Sequence, residues 1–217
     1  DEALTISSGL DFLTEQAKYW TANSGLEINA DHIGSMRIDK DLSSNISISK
    51  RGLYPDGATY KNAAFYSLHH LRFNKFLIEA GGRYNTYSIG ISDTTLGKVN
   101  MNLSALVFQS GISYKLSQFF TLYANMSSGY RAPNIDDMGT LGIVDFRYEI
   151  PAYDLKPEKS FNYEAGIKWH SLKFSGVASV FNTSLSNLIT RVKTGAAMNG
   201  YDVYKKLNVE KGFIQGF

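Results

Sequence analysis

His69 and His70 are the chain's one adjacent pair of imidazoles, and so the first place to look for a metal site. Successive residues of a strand project to opposite faces, so on a strand two adjacent histidines cannot close on one ion. His170 lies on the polar side of an alternating segment beside a tight turn and reads as a solvated side chain. His32 has no partner at metal-ligand spacing. A second concentration of charge sets Asp136, Asp137, Asp145, Glu149 and Asp154 against Arg131, Arg147, Lys156 and Lys159 in one polar stretch. Such carboxylates could chelate Ca²⁺ or repel an anionic ligand, and a solvated, charge-balanced loop would show the same residues. Tyr19, Trp20, Tyr54, Tyr148 and Tyr201, expected in outer loops, could stack on a planar or catecholate ligand, since each joins contact area to a polar tip. With Asp136, Asp137, Arg147 and Tyr148, the first three of these aromatics make up the ligand-binding candidates. No Ser-His-Asp set, phosphate-cradling glycine loop or metal-hydrolase pair can be assembled, so the chain is not expected to be an enzyme or to carry an intrinsic cofactor.

The elements that position these residues announce themselves by alternation. From Phe76 the even positions Phe76, Ile78, Ala80, Gly82 and Tyr84 face one way, and Glu79, Arg83 and Asn85 the other. Leu106, Phe108, Ile112, Tyr114 and Leu116 oppose Gln109, Ser113 and Lys115. Phe120, Leu122, Ala124, Met126 and Tyr130 oppose Thr121, Asn125 and Ser127. The cleanest case sets Phe161, Tyr163, Ala165, Ile167 and Trp169 against Asn162, Glu164, Gly166, Lys168 and His170. Each is a strand with one apolar and one polar face. Weaker versions run over 4–12 and 172–180, and 62–73 is strand-like with an ambiguous register.

These strands run to about ten residues or more, nearer a tilted bilayer-spanning strand than a globular one. Tight turns are expected at Asn74-Lys75, Ser117-Gln118 and Ser171. Long polar loops are expected over 18–60, 89–102, 131–159 and 188–209, with strand-like pieces from Asp41 to Ser49 in the first. Short turns at one end and long loops at the other make the pattern of an outer-membrane barrel, which hides its apolar surface in every second residue. Tyr84, Tyr87, Tyr114, Phe119, Phe120, Tyr130, Phe161 and Trp169 fall near strand ends, where an interfacial girdle would lie. Glu79, Arg83, Glu164 and Lys168 then belong in the lumen, lining water or facing a plug. A soluble β-sandwich, such as a carbohydrate-binding module, also alternates and stays open as a second architecture.

Composition agrees with strands. Aromatic content is 13%, with 14 Tyr, 13 Phe, 19 Gly and 4 Pro. The absence of cysteine excludes disulfides and thiolate metal sites. With 22 Lys and Arg against 20 Asp and Glu, and no basic cluster, nucleic acid is not an expected partner.

Two motifs carry a resemblance. The first is Tyr130-Arg131-Ala132-Pro133, where a proline that cannot donate to a ladder ends a strand. The second is Leu155-Lys156-Pro157-Glu158-Lys159-Ser160, leading into Tyr163-Glu164-Ala165-Gly166-Ile167-Lys168 and later Val180-Phe181-Asn182. In this order they resemble the barrel of TonB-dependent outer-membrane receptors, as do Gly57-x-x-Tyr60 and Gly81-Gly82-Arg83-Tyr84. The resemblance implies an all-β, antiparallel up-and-down transmembrane barrel of about 22 strands around a plug. It implies a ligand such as a ferric siderophore or haem, bound at the outer face. Outer-membrane lipid and an energy-transducing TonB complex acting through the plug are the implied partners. Twenty-two strands of ~9–11 residues would consume the whole chain, so residues 1–217 are expected to be one partial barrel domain of about eight strands. The plug, the coupling segment and the final strands are expected to be lacking. Haem receptors of this kind place a histidine between an aromatic-Arg-Ala-Pro box and an Asn-Pro-(Asp/Asn)-Leu box. Here the second box is only partly matched by Pro151-Ala152-Tyr153-Asp154-Leu155, and 134–150 holds no histidine. A passive porin or adhesin barrel is the alternative within the same architecture.

Overall fold

A computed structural model describes residues 1–93 and 97–217. Long antiparallel strands dominate: β1 (Glu2–Ala17), β2 (Trp20–Gly34), β5 (Ala58–Phe73), β6 (Phe76–Asp93), β7 (Gly97–Lys115), β8 (Phe120–Arg131), β11 (Glu158–His170), β12 (Ser175–Met198) and β13 (Tyr201–Gly216). The shorter elements are a β3–β4 hairpin (Met36–Lys40 with Ser47–Arg51), helix α1 (Ile135–Gly139), β9 (Gly142–Val144) and β10 (Arg147–Ile150). The main sheet has the order β1-β2-β5-β6-β7-β8-β11-β12-β13-β10-β9. The long strands pair as successive antiparallel neighbours, and among the described residues only β10 joins in parallel, Tyr148 to Ile150 beside Val203 to Lys205.

The expected turns at Asn74-Lys75, Ser117-Gln118 and Ser171 are present, and Lys18-Tyr19 makes a fourth at the same end. Three of the expected long loops are corrected. Within 18–60 the sheet gains β2, fully paired with β1 and β5, and the piece around Asp41 to Ser49 lies in the β3–β4 hairpin. Strands β6 and β7 pair up to Asp93 and Gly97, so only 94–96 of the loop 89–102 remain, outside the described residues. Strands β12 and β13 pair as far as Met198 and Tyr201, closing over Asn199-Gly200. Among the described residues the sheet therefore holds nine long strands rather than about eight.

Which face is outermost is settled by burial. Leu106 is 72% and Tyr163 54% exposed, while Asn62 and Asn85, on the opposite face, are 8% and 5% exposed. Burying amides and exposing hydrocarbon reverses the order of a soluble domain. No second sheet covers the apolar face among the described residues, so the sandwich reading falls. Along β11 the apolar side runs from Phe161 to Trp169, about 27 Å of strand, which tilted approaches the ~25 Å band of a membrane barrel.

The sheet is also rolled. Ile135 and Met138 of α1 pack in one cluster with Ile89 and Ile91 of β6. Lys206 of β13 reaches Asp136 on the same helix at 2.6 Å. Strands β6 and β13 stand five positions apart in the sheet, about 24 Å if flat. Both can meet a five-residue helix only if the sheet curls around it.

Candidate functional site

The rolled sheet encloses its polar face, and at the long-loop end the segment after β8 folds into that enclosure. Its anchor is Arg131. The guanidinium binds Glu158 at two points (Nε to Oε2 2.6 Å, Nη2 to Oε1 3.0 Å) and donates to Asp137 at 2.7 Å. The arginine of the first sequence motif and the glutamate of the second thus form one bidentate pair, the geometry that planar forks favour. Each group reinforces the other's charge: Arg131 holds Glu158 below its ordinary carboxylate value, and Glu158, with Asp137, holds Arg131 protonated. Glu158 also accepts from the Ile189 amide at 2.7 Å. Ala132 and Pro133 are buried. Asn134 caps α1, accepting from the Asp137 amide at 2.8 Å while Asp137 accepts from the Asn134 amide at 3.1 Å.

Beneath the helix lies an apolar cluster of Ala58, Ile89, Ile91, Ile135, Met138, Ala152 and Leu155. Leu155 is thus a core residue, and Pro157 is half-buried. The Lys156 backbone exchanges two 2.7 Å hydrogen bonds with the Asn208 amide group. On the far side Glu149 pairs with Arg191, and Arg51 bridges to Asp93 (2.6 Å) and the Gly139 carbonyl (2.9 Å). Sequence reasoning singled out none of Arg51, Arg191, Lys206 or Asn208. Each is a lone polar residue whose partner lies many residues away, and no local pattern marks it.

Between this loop and the strands is a cavity of about 470 Å³ lined by Asp31, Ile33, Tyr54, Tyr60, Arg131, Asn134 and Asp136, among others. Burial, reinforced by the Asp136 carboxylate, raises the Tyr54 phenol above its ordinary value and keeps it a neutral donor. Tyr60 lies near Tyr87 (6.0 Å), and Tyr87 stacks on Tyr130 (5.6 Å, 23°). This corrects two girdle expectations: Tyr87 and Tyr130 form an aromatic row at the interior. The alternation expected of β8 lapses at Tyr130 because the β7–β8 ladder stops at Ser127, and the Phe108 amide turns to the Ser128 hydroxyl at 2.9 Å.

The other expected site residues are divided. Asp136 and Tyr54 reach the cavity, whereas Asp137 is spent on Arg131 and the helix cap. Arg147 and Tyr148 lie in β10, Arg147 over the Tyr204 ring at 5.6 Å. Tyr19 and Trp20 are corrected outright. They sit at the short-turn end, Tyr19 against Phe73 (5.0 Å) and Trp20 donating to His69 Nδ1 (3.2 Å), far from the outer loops. His70 bonds Glu79 at 2.8 Å, so the histidine pair splits across the two faces. Glu79, Arg83, Glu164 and Lys168 share the enclosed face. Arg83 meets Glu27 at 2.5 Å, and Glu164 accepts from Tyr123 at 2.7 Å with the Lys168 ammonium 4.8 Å over that ring. Gly166 leaves the room in which Tyr123 lies: a Cβ there would come within 2.8 Å of the ring and phenol oxygen.

A rolled antiparallel sheet, apolar outside and ion-paired within, with one mouth crossed by a folded loop, is part of the wall of a transmembrane β-barrel. The family model for the TonB-dependent receptor-like β-barrel matches residues 3–217, and the chain belongs to that family. Its fold is similar to that of the copper transporter OprC (TM-score 0.80, 14% identity, covering 99% of this chain and 34% of that one). It is also similar to a double mutant of the Serratia marcescens hemophore receptor HasR in complex with its hemophore HasA and heme (0.78, 15%, 99% and 38%). The siderophore receptor PirA from Pseudomonas aeruginosa is a third likeness (0.69, 18%, 99% and 38%). The chain spans about a third of the length of these structures.

Proposed function

We propose that this chain is the ligand-framing part of an outer-membrane importer that takes up a scarce organic iron complex, a ferric siderophore or haem, with energy delivered by TonB. The observation that carries this reading is the cavity at the outer mouth. Tyr54, Tyr60, Arg131 and Asn134 line it, beneath a loop that the Arg131–Glu158 pair holds across the interior. Two carboxylates also line it, Asp31 and the Lys206-paired Asp136, and the phenols, amide and guanidinium beside them suit a planar or catecholate ligand. Among the described residues no group of three or more His, Asp or Glu is placed to hold a metal. Catalysis has no role in this reading.

The test is growth rescue of a receptor-deleted, iron-limited strain by the intact receptor, supplied in turn with haem, ferric siderophores and cobalamin. Rescue by one iron complex is expected, and Tyr54→Ala with Tyr60→Ala should raise the concentration needed about tenfold at unchanged surface levels. Passage of small uncharged solutes in liposome swelling, without rescue by any complex, would replace the importer with a passive channel.

A further inference from the structure

We infer that the outer, apolar face of the sheet carries a binding site for a phosphate-bearing lipid, built where Tyr130 leaves that face. Regular alternation would place the Tyr130 side chain on the outside between Leu106 and Lys159. Instead it stacks on Tyr87. A depression of about 590 Å³ lies there, lined among others by Leu106, Lys159, Ser186 and Lys211 at the level of Tyr130 and by Phe161 and Ser184 one alternation below.

Register fixes the upper rim. Lys159 stands directly opposite Ser186, and Ser186 directly opposite Lys211. The three form one lateral row on one face, with the two lysines about 10 Å apart across a single strand. Among the described residues neither ammonium has a carboxylate partner within salt-bridge distance, whereas Lys50, Lys193, Lys205 and Lys206 each have one. The row sits one alternation above Phe161, where the apolar run of β11 ends. Cations at that level face headgroups, not hydrocarbon.

The two halves of the depression select its occupant. Two lysines and the hydroxyls of Ser184 and Ser186 suit a phosphate, which takes charge and several donors together. Phe161, with the 42% exposed Phe108 ring 5.7 Å from its own, continues the wall downward for an acyl chain. A soluble anion would leave the apolar half open, and an uncharged lipid would leave the ammonium groups unmatched. The occupant is therefore a lipid of the outer leaflet with a phosphate headgroup. The inference rests on the membrane placement of the barrel and is independent of the imported ligand.

The experiment is native mass spectrometry of the full receptor in non-ionic detergent, titrated with short-chain phosphatidic acid, the matching diacylglycerol or inorganic phosphate. One phosphatidic acid per receptor is expected at concentrations at which the other two do not bind. The double variant K159Q/K211Q should bind it at least tenfold more weakly, K159R/K211R should bind like the parent, and S184W, which fills the depression and keeps both lysines, should lose it. Resistance of the unheated barrel to SDS denaturation reports that each variant is folded, and S184W carries the test if the glutamine variant is not. Equal binding by K159Q/K211Q or S184W, or equal binding of diacylglycerol or phosphate, would overturn the inference. Growth rescue by the imported iron complex should be unchanged in all three variants, so this outcome and the importer reading fail separately.

Discussion

Lys206 of β13 and Asp136 of α1 meet at 2.6 Å across the inside of the rolled sheet. The ammonium also takes the Asp136 carbonyl at 2.8 Å and stands 3.8 Å from Asp137. Its side chain is only 7% exposed. Two carboxylates and a helix carbonyl around one enclosed cation make a latch between β13 and the loop that crosses the mouth.

Lys206→Met should release that latch without opening the barrel. The substitution leaves two carboxylates close together without their shared cation, a loss on the order of 2–3 kcal/mol for a charged hydrogen bond. Amide hydrogen exchange should quicken roughly tenfold to a hundredfold between Ile135 and Leu155, and stay unchanged in β6, β7 and β11. Unchanged protection of the loop would show that the apolar cluster holds it unaided.

The same loop should loosen in acid. Arg131 lowers Glu158 below its ordinary 4.5. Asp136 feels burial first, which raises it, but Lys206 and Thr140 outweigh that effect and leave it below 3.8. Depressed folded-state values contribute stability that is complete above the ordinary values and lost as pH falls through the depressed ones. Proteolytic nicking of the loop should therefore stay flat from pH 7 to about 5 and rise below about 4.5. Glu158→Gln should nick faster at neutral pH and respond less to acid. A rise centred near pH 6 would point to histidine instead.

How much of this was legible depended on where each segment sits relative to hydrocarbon. Strands β6, β7, β8 and β11 declared themselves because each second residue meets an apolar medium over about ten positions. Strand β2 did not. Its outer side mixes Ala22, Ser24, Leu26 and Ile28, and Ser24 is satisfied by the Ser67 hydroxyl at 2.7 Å, so no clean stripe was needed. The far ends of β6, β7, β12 and β13 rise above the band, where both faces meet water or protein and alternation has nothing to enforce it. The Arg131 and Glu158 motifs were visible as words, but that they bind each other was not, since pairing across β8 and β11 depends on register. Tyr130 went the wrong way for the same reason: a ladder that ends at Ser127 cannot be seen without its partner strand.

Gly166 is required by its neighbour. A Cβ at this position would come within 2.5 Å of the Ala178 carbonyl and 2.8 Å of Tyr123, the residue directly opposite it. Gly166→Ala should push Tyr123 away from Glu164 and cost about 1–3 kcal/mol through overpacking. The thermal unfolding midpoint of the detergent-solubilised receptor should fall, and the same glycine substitution made in a Y123A background should lower it much less, a rescue read against Y123A alone. Failure of that rescue would place the strain at the Ala178 carbonyl rather than at the ring.

The orientation of the wall can be tested with one arginine placed on either face of the same strand. Ala165 lies on the outer side of β11 between Ala124 and Val180, near the middle of the apolar run. Asn162 lies on the inner side, where its carboxamide oxygen accepts from the Thr183 hydroxyl at 2.7 Å. Arginine facing the bilayer midplane costs about 2–4 kcal/mol, whereas an enclosed polar face can solvate it or pair it. Ala165→Arg should therefore cut the yield of folded, heat-modifiable receptor severalfold, and Asn162→Arg should cut it far less. The reverse ranking would mean that Tyr163, Ile167 and Trp169 face the lumen, and the membrane placement of every strand would have to be turned inside out.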